Sequence, residues 1–209
     1  MDRWLKVLHK DADNPEPELS QWATAKNLGI PGFEYTRREE FYGQIYAKRF
    51  EGTPRAGYAE IQKLLSGKEP SFGYSILAHI LAKKQHKAVI TTNFDNLVAD
   101  ALFLYSQTGP IQCIHESLAP FITTQLDRPL VVKVHRDLLL HPHSSNVDID
   151  KLHDDWRAPL TDLLRHCTPI FIGYGGNDGS LMGLLNDLPP GGLIASIGVY
   201  GEPMPPMIK

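Results

Sequence analysis

The sequence predicts an α/β fold: a parallel sheet with helices on both faces and a small helical cap. Three observations point there. The runs Ala88–Thr91, Leu130–Val134 and 169–173 are continuous, largely β-branched and apolar, as strands buried on both faces are. Stretches of helical periodicity lie between and after them, and polar or glycine-rich turns follow the strands, the alternation that builds parallel sheets.

The 209 residues suffice for one α/β domain with a substantial core. Two cysteines, Cys113 and Cys167, without C-x-x-C spacing, exclude a disulfide framework and a four-cysteine zinc site, and fit a reducing cytoplasm. A net charge of −3, from 21 basic and 24 acidic residues, gives no electrostatic reason to expect nucleic acid as a partner. No apolar run reaches the roughly 20 residues of a membrane helix, and the opening MDRWLKVLHKD is too polar for a signal peptide, so no membrane partner is expected. Internal repeats are absent.

Residues 1–70 read as a mainly helical part. Trp4, Leu5, Val7 and Leu8 make a short amphipathic piece, and the acids and prolines of 11–19 a loop. Phe41, Ile45 and Tyr46 fall on one stripe, and Ile61, Leu64 and Leu65 on another. Residues 71–187 form the core. Ser71 stands where a helix cap belongs, and Ile76, Leu77, Ile80 and Leu81 supply the expected buried face of that helix. The strand at Ala88 follows, and Val98–Leu102 resume helical spacing.

Between that strand and helix sits a turn with Thr91, Thr92, Asn93, Asp95 and Asn96, interrupted only by Phe94. One such residue satisfies a helix cap. Five exceed that need, and the carboxyl end of a parallel strand is where open α/β sheets bind ligands, so a ligand-facing role stands beside plain turn chemistry.

Further along, Ile111–Ile114 is a short strand, and His135 closes the strand from Leu130. The loop after it carries His141, His143, Asp148 and Asp150 before His153, Asp154 and Asp155. A metal site there lacks the i, i+4 helical spacing or cysteine companions that make zinc motifs diagnostic, so a solvated face and a helix start is the preferred reading and no metal is expected. The helix of 156–167 places Pro159 near its first turn. In GYGGNDGS, Gly173, Gly175 and Gly176 permit close backbone approach to a ribose or phosphate, and Asp178 is either a cap or an acceptor for a ribose hydroxyl; an ordinary glycine turn is the alternative. Residues 188–209 contain one strand pattern, 193–200, and a proline-rich end expected to be loose.

Three stretches together, ITTNFDNL, VVKVHRDL and PIFIGYGGNDGSLMGLL, resemble in sequence and order the motifs of the sirtuin-like NAD-processing domains, especially the bacterial branch found in anti-phage defence proteins. The resemblance implies a Rossmann-like sheet within a single domain spanning 1–209, and NAD as substrate. It implies an NAD hydrolase that releases nicotinamide and ADP-ribose. Asn93 and His135 would be catalytic, Asn93 orienting the ribose or the attacking water and His135 acting as base. Thr91, Thr92, Asp95, Gly173, Tyr174, Gly175 and Asp178 would bind NAD, with Asp95 on the nicotinamide carboxamide. Self-association, or a fused or partner domain, accompanies that branch.

The chain departs from the pattern at two places. The family's domains open on a strand and a Gly-Ala-Gly-x-Ser turn that holds the pyrophosphate, whereas 1–19 contain no such turn, so a fragment or a shortened relative is the expectation. The family's glycine after the histidine is Arg136 here. These departures leave a catalytically silent nucleotide-binding or interaction module as the alternative. A protein deacylase ranks last, because deacylating sirtuins usually carry the four-cysteine zinc module.

Overall fold

In a computed structural model, residues 1–13, 16–136, 152–174, 176 and 179–189 are described, together with the backbone of 197–199. They divide into two compact units, one of residues 1–64 and one that begins at residue 65.

The first unit is helical. It contains α1 (Asp2–Lys10), α2 (Leu19–Trp22), α3 (Ala25–Leu28), a 3₁₀ segment (Tyr35–Phe41), α4 (Tyr42–Arg49) and most of α5 (Pro54–Leu65). Its core forms where the amphipathic face of α1 meets α4: Leu5 and Ile45 are fully buried, and the Trp4 ring meets Tyr46 and Phe50 edge-on at centroid distances of 5.5 and 5.7 Å. Thr24 caps α3 by accepting the Asn27 amide, and Gly29 closes it at φ +67°. Of the stripe expected on α5, Ile61 is buried and Leu64 is 45 % exposed.

The second unit is α/β. It runs α6 (Phe72–Lys83), β1 (Ala88–Thr91), α7 (Leu97–Ser106), β2 (Ile111–Cys113), a 3₁₀ segment (Glu116–Phe121), β3 (Leu130–Lys133), α8 (Asp154–His166), β4 (Ile170–Ile172), α9 (Gly179–Asn186) and β5 (Ile197–Val199). Strands β1, β3 and β2 pair in that order, all parallel, with Ala88 opposite Leu130 and Thr91 opposite Lys133. Strands β4 and β5 form a second parallel pair. The sequence suggested one sheet with the strand of Phe171 among its inner members; among the described residues β4 pairs only with β5. Within β4 Phe171 is buried while Ile170 and Ile172 are 46 % and 66 % exposed, a one-sided pattern.

Period-two geometry sorts the central sheet's side chains onto its faces. Ala88, Ile90, Leu130, Val132 and Val134 share a core with Trp156, Leu160 and Leu164 of α8, Phe171 of β4, and Leu181, Leu184 and Leu185 of α9. Val89 and Val131 point the other way, into a core with Ala78 and Leu81 of α6 and Ala101 and Leu102 of α7. Helices therefore cover both faces, as expected. Ile76 is not on the buried face of α6 but 48 % exposed; the face is rotated so that Tyr74, Leu77, Ala78 and Leu81 point inward. Ser71 holds the N-cap position of α6 without a side-chain hydrogen bond to its amides. Pro159 lies inside α8, in its second turn, because the helix begins at Asp154. Among the described residues no helix is long and apolar enough to cross a membrane.

Candidate functional site

The register of β1 and β3 sets the site. With Thr91 opposite Lys133 and the Val134 amide donating to the Thr91 carbonyl at 3.1 Å, two adjacent parallel strands end together. Asn93 and His135 each follow two residues after these partners. Neighbouring parallel strands lie about 4.8 Å apart, so the two turns leave side by side at the carboxyl edge.

The turn after β1 is built from its own side chains. Thr91 Oγ1 accepts the Asn93 amide at 3.0 Å, and Asp95 Oδ1 accepts the Leu97 amide at 3.1 Å, so Asp95 stabilises the start of α7. Asn96 holds the N-cap position but makes no side-chain cap; its Oδ1 accepts from Lys133 Nζ at 2.7 Å. Asn93 is exposed, and Thr91, Thr92 and Asp95 are half-buried. Burial, and after it the charge of Asp95, raise the pKa of the Tyr74 phenol.

His135 is 6 % exposed, and its Nε2 lies 2.8 Å from Oγ of Ser180, itself 1 % exposed. Ser180 is the second residue of α9, the helix that follows the turn after β4. This contact brings a third strand-end turn to the histidine. In that turn Gly173 and Gly176 adopt φ +63° and +69°, a region glycine enters without steric cost. Tyr174 stacks on Phe171 with ring centroids 6.3 Å apart. Gly175 and Asp178 lie outside the described residues.

Arg136 also has a left-handed backbone, φ +65°, which costs a residue with a side chain roughly 1–2 kcal/mol. The turn is closed by the Arg136 amide donating to the Lys133 carbonyl at 3.1 Å. The side chain is held in turn by Glu116: Nε donates to Oε2 at 2.8 Å and Nη2 to Oε1. Burial alone would push the Glu116 carboxyl up. The Arg136 hydrogen bonds, a backbone hydrogen bond and the neighbouring charges outweigh burial and bring it to about 2. His153 caps α8, its Nδ1 accepting the Asp155 amide at 3.3 Å; His141, His143, Asp148 and Asp150 lie outside the described residues.

Lys133, Ser180 and Glu116 were not singled out by sequence reasoning. Lys133 carried a signal, since a charged residue inside the apolar run VVKV is costly unless paired. Ser180 and Glu116 carried none, because their partners are 45 and 20 residues away. Asn93 and His135 thus leave neighbouring strand ends two residues beyond the Thr91–Lys133 pair, and Ser180 meets the histidine there.

Residues 87–189 match the model of the SIR2-like domain family. No curated protein matches the sequence. The matched segment runs from just before β1 to just past α9 and so contains all three motif turns. Over these residues the chain carries a SIR2-like domain, with the parallel α/β sheet such a domain requires, and the SIR2-like family uses NAD as substrate.

Proposed function

We propose that the protein is an NAD+ hydrolase that cleaves the bond between nicotinamide and ribose, giving nicotinamide and ADP-ribose. The observation that carries this reading is the pairing of Thr91 with Lys133, from which Asn93 and His135 emerge two residues on at one edge of the sheet. Breaking the bond leaves oxocarbenium character at the anomeric carbon, and nicotinamide departs with the bonding electron pair. Asn93 orients the ribose hydroxyl or the attacking water. His135 takes the water proton as the new carbon–oxygen bond forms. Asp95 holds the carboxamide, while Thr91, Thr92, Gly173, Tyr174, Gly175 and Asp178 bind the rest of the dinucleotide. The resemblance to the anti-phage branch extends the reading to bacterial defence in the cytoplasm, with a second copy of the chain or a fused or partner domain as its partner.

One observation favours a second reading, a silent nucleotide-binding module: His135 is almost fully buried and already engaged with Ser180. Incubating purified protein with NAD and following nicotinamide release decides between them. Release without any acyl peptide supports the hydrolase. Binding of NAD without release supports the module, and release only with an acyl peptide supports a deacylase.

A further inference from the structure

Lys133 is chemically out of place in its strand. Val131, Val132 and Val134 around it are buried, and Lys133 is itself only 1 % exposed. Val131 faces the α6–α7 layer, and by the two-residue period of a strand Lys133 shares that face. Its ammonium ends at the start of α7, donating to the Phe94 carbonyl at 3.0 Å and to Asn96 Oδ1 at 2.7 Å.

Two electrostatic terms oppose this placement. An ammonium removed from water loses its hydration, and the N-terminal end of a helix is already positive. A valine at this position would meet neither cost. What lysine supplies instead is a pair of charge-assisted hydrogen bonds to the 92–96 turn, with partners 39 and 37 residues away.

We propose that Lys133 is a positioning residue whose ammonium staples the turn after β1 to the end of β3, fixing Asn93 relative to His135. Lys133 and His135 are two residues apart on one strand end, so the staple and the base share a rigid support. Asn93 lies immediately before one acceptor residue and three before the other, so the turn shifts only by breaking both bonds. The inference rests on the hydrolase reading for its catalytic consequence, whereas the staple itself is measurable without NAD.

Lys133→Met keeps the apolar stem and removes the donor, Lys133→Arg keeps a donor, and Asn96→Ala removes one acceptor at an exposed position. Amide hydrogen exchange of NAD-free protein is read at residues 92–97, with α8 as the internal reference, and kcat and KM for NAD cleavage are measured alongside. Expected are exchange roughly tenfold faster or more at the turn in Lys133→Met, unchanged exchange in α8, a smaller effect in Asn96→Ala, and partial rescue by Lys133→Arg. In an active enzyme kcat falls at least as far, with KM changed less. Turn exchange equal to wild type in Asn96→Ala and in a folded Lys133→Met overturns the staple; if Lys133→Met does not fold, Asn96→Ala alone decides. Faster turn exchange in a protein that never cleaves NAD supports the staple and rejects only the hydrolase reading.

Discussion

The Nε2 atom of His135 stands 2.8 Å from the Oγ of Ser180, joining the end of β3 to the start of α9 across 45 residues of sequence. A hydroxyl can donate to that nitrogen or accept from it, so the contact holds the ring plane with either tautomer. In the proposed reaction the ring's orientation decides whether the imidazole can reach the proton of the attacking water.

Ser180→Ala should therefore lower kcat for NAD cleavage by roughly ten- to a hundredfold with a smaller change in KM, and Ser180→Thr should restore part of it. Ring NMR of His135 gives the independent readout, a single ring environment in wild type and broadened or multiple signals in Ser180→Ala. Unchanged kcat together with unchanged ring shifts would show that the hydroxyl does not position the base.

Glu116 and Arg136 set an acid limit on stability. The carboxyl sits at about 2 in the folded protein against an ordinary 4.5. A depressed folded value means that the pair stabilises the fold above about pH 4.5, and that this contribution is lost as the pH falls toward 2. Its size is up to about 3 kcal/mol by linkage. Denaturant unfolding as a function of pH should show that loss, and Glu116→Gln should be less stable at pH 7 with a shallower acid limb. An acid limb as steep in the variant as in wild type would assign the loss to other carboxylates.

The two central paired strands were legible because helices packed on both faces leave a trace in composition: Ala88–Thr91, half-buried throughout, was delimited from its apolar, β-branched content, and the fully buried β3 differed by one residue. The inward face of α6 was less legible. Large apolar residues were expected inside, yet close packing of α6 on α7 and the sheet selects small ones, so Ala78 and Ala101 are buried while Ile76 is turned outward. The division into β1-β3-β2 and β4-β5 depends on pairing over long separations, for which a single sequence holds no periodic signal. At the site, Asn93 and His135 were readable as polar residues at strand ends. Their supports were not, because Lys133 meets Asn96, and His135 meets Ser180, only after the chain has folded.

If Asn93 and His135 act on one bond, each substitution to alanine should abolish most NAD cleavage, and the double variant should lose little more, because groups that act as a unit are non-additive. Base catalysis is typically worth about 10² to 10⁴ in rate, so the His135→Ala loss should lie in that range. The two substitutions should differ in stability. Asn93 is exposed, so its removal should leave the unfolding midpoint nearly unchanged. His135 is 6 % exposed and bonded to Ser180, so its removal should cost about 1–3 kcal/mol as a buried hydroxyl loses this partner. Single-turnover nicotinamide release, with chemical unfolding of the same preparations, separates chemistry from folding. A folded His135→Ala protein that cleaves NAD at the wild-type rate would remove the histidine from the mechanism, and losses that simply multiply in the double variant would show that the two residues act on separate steps.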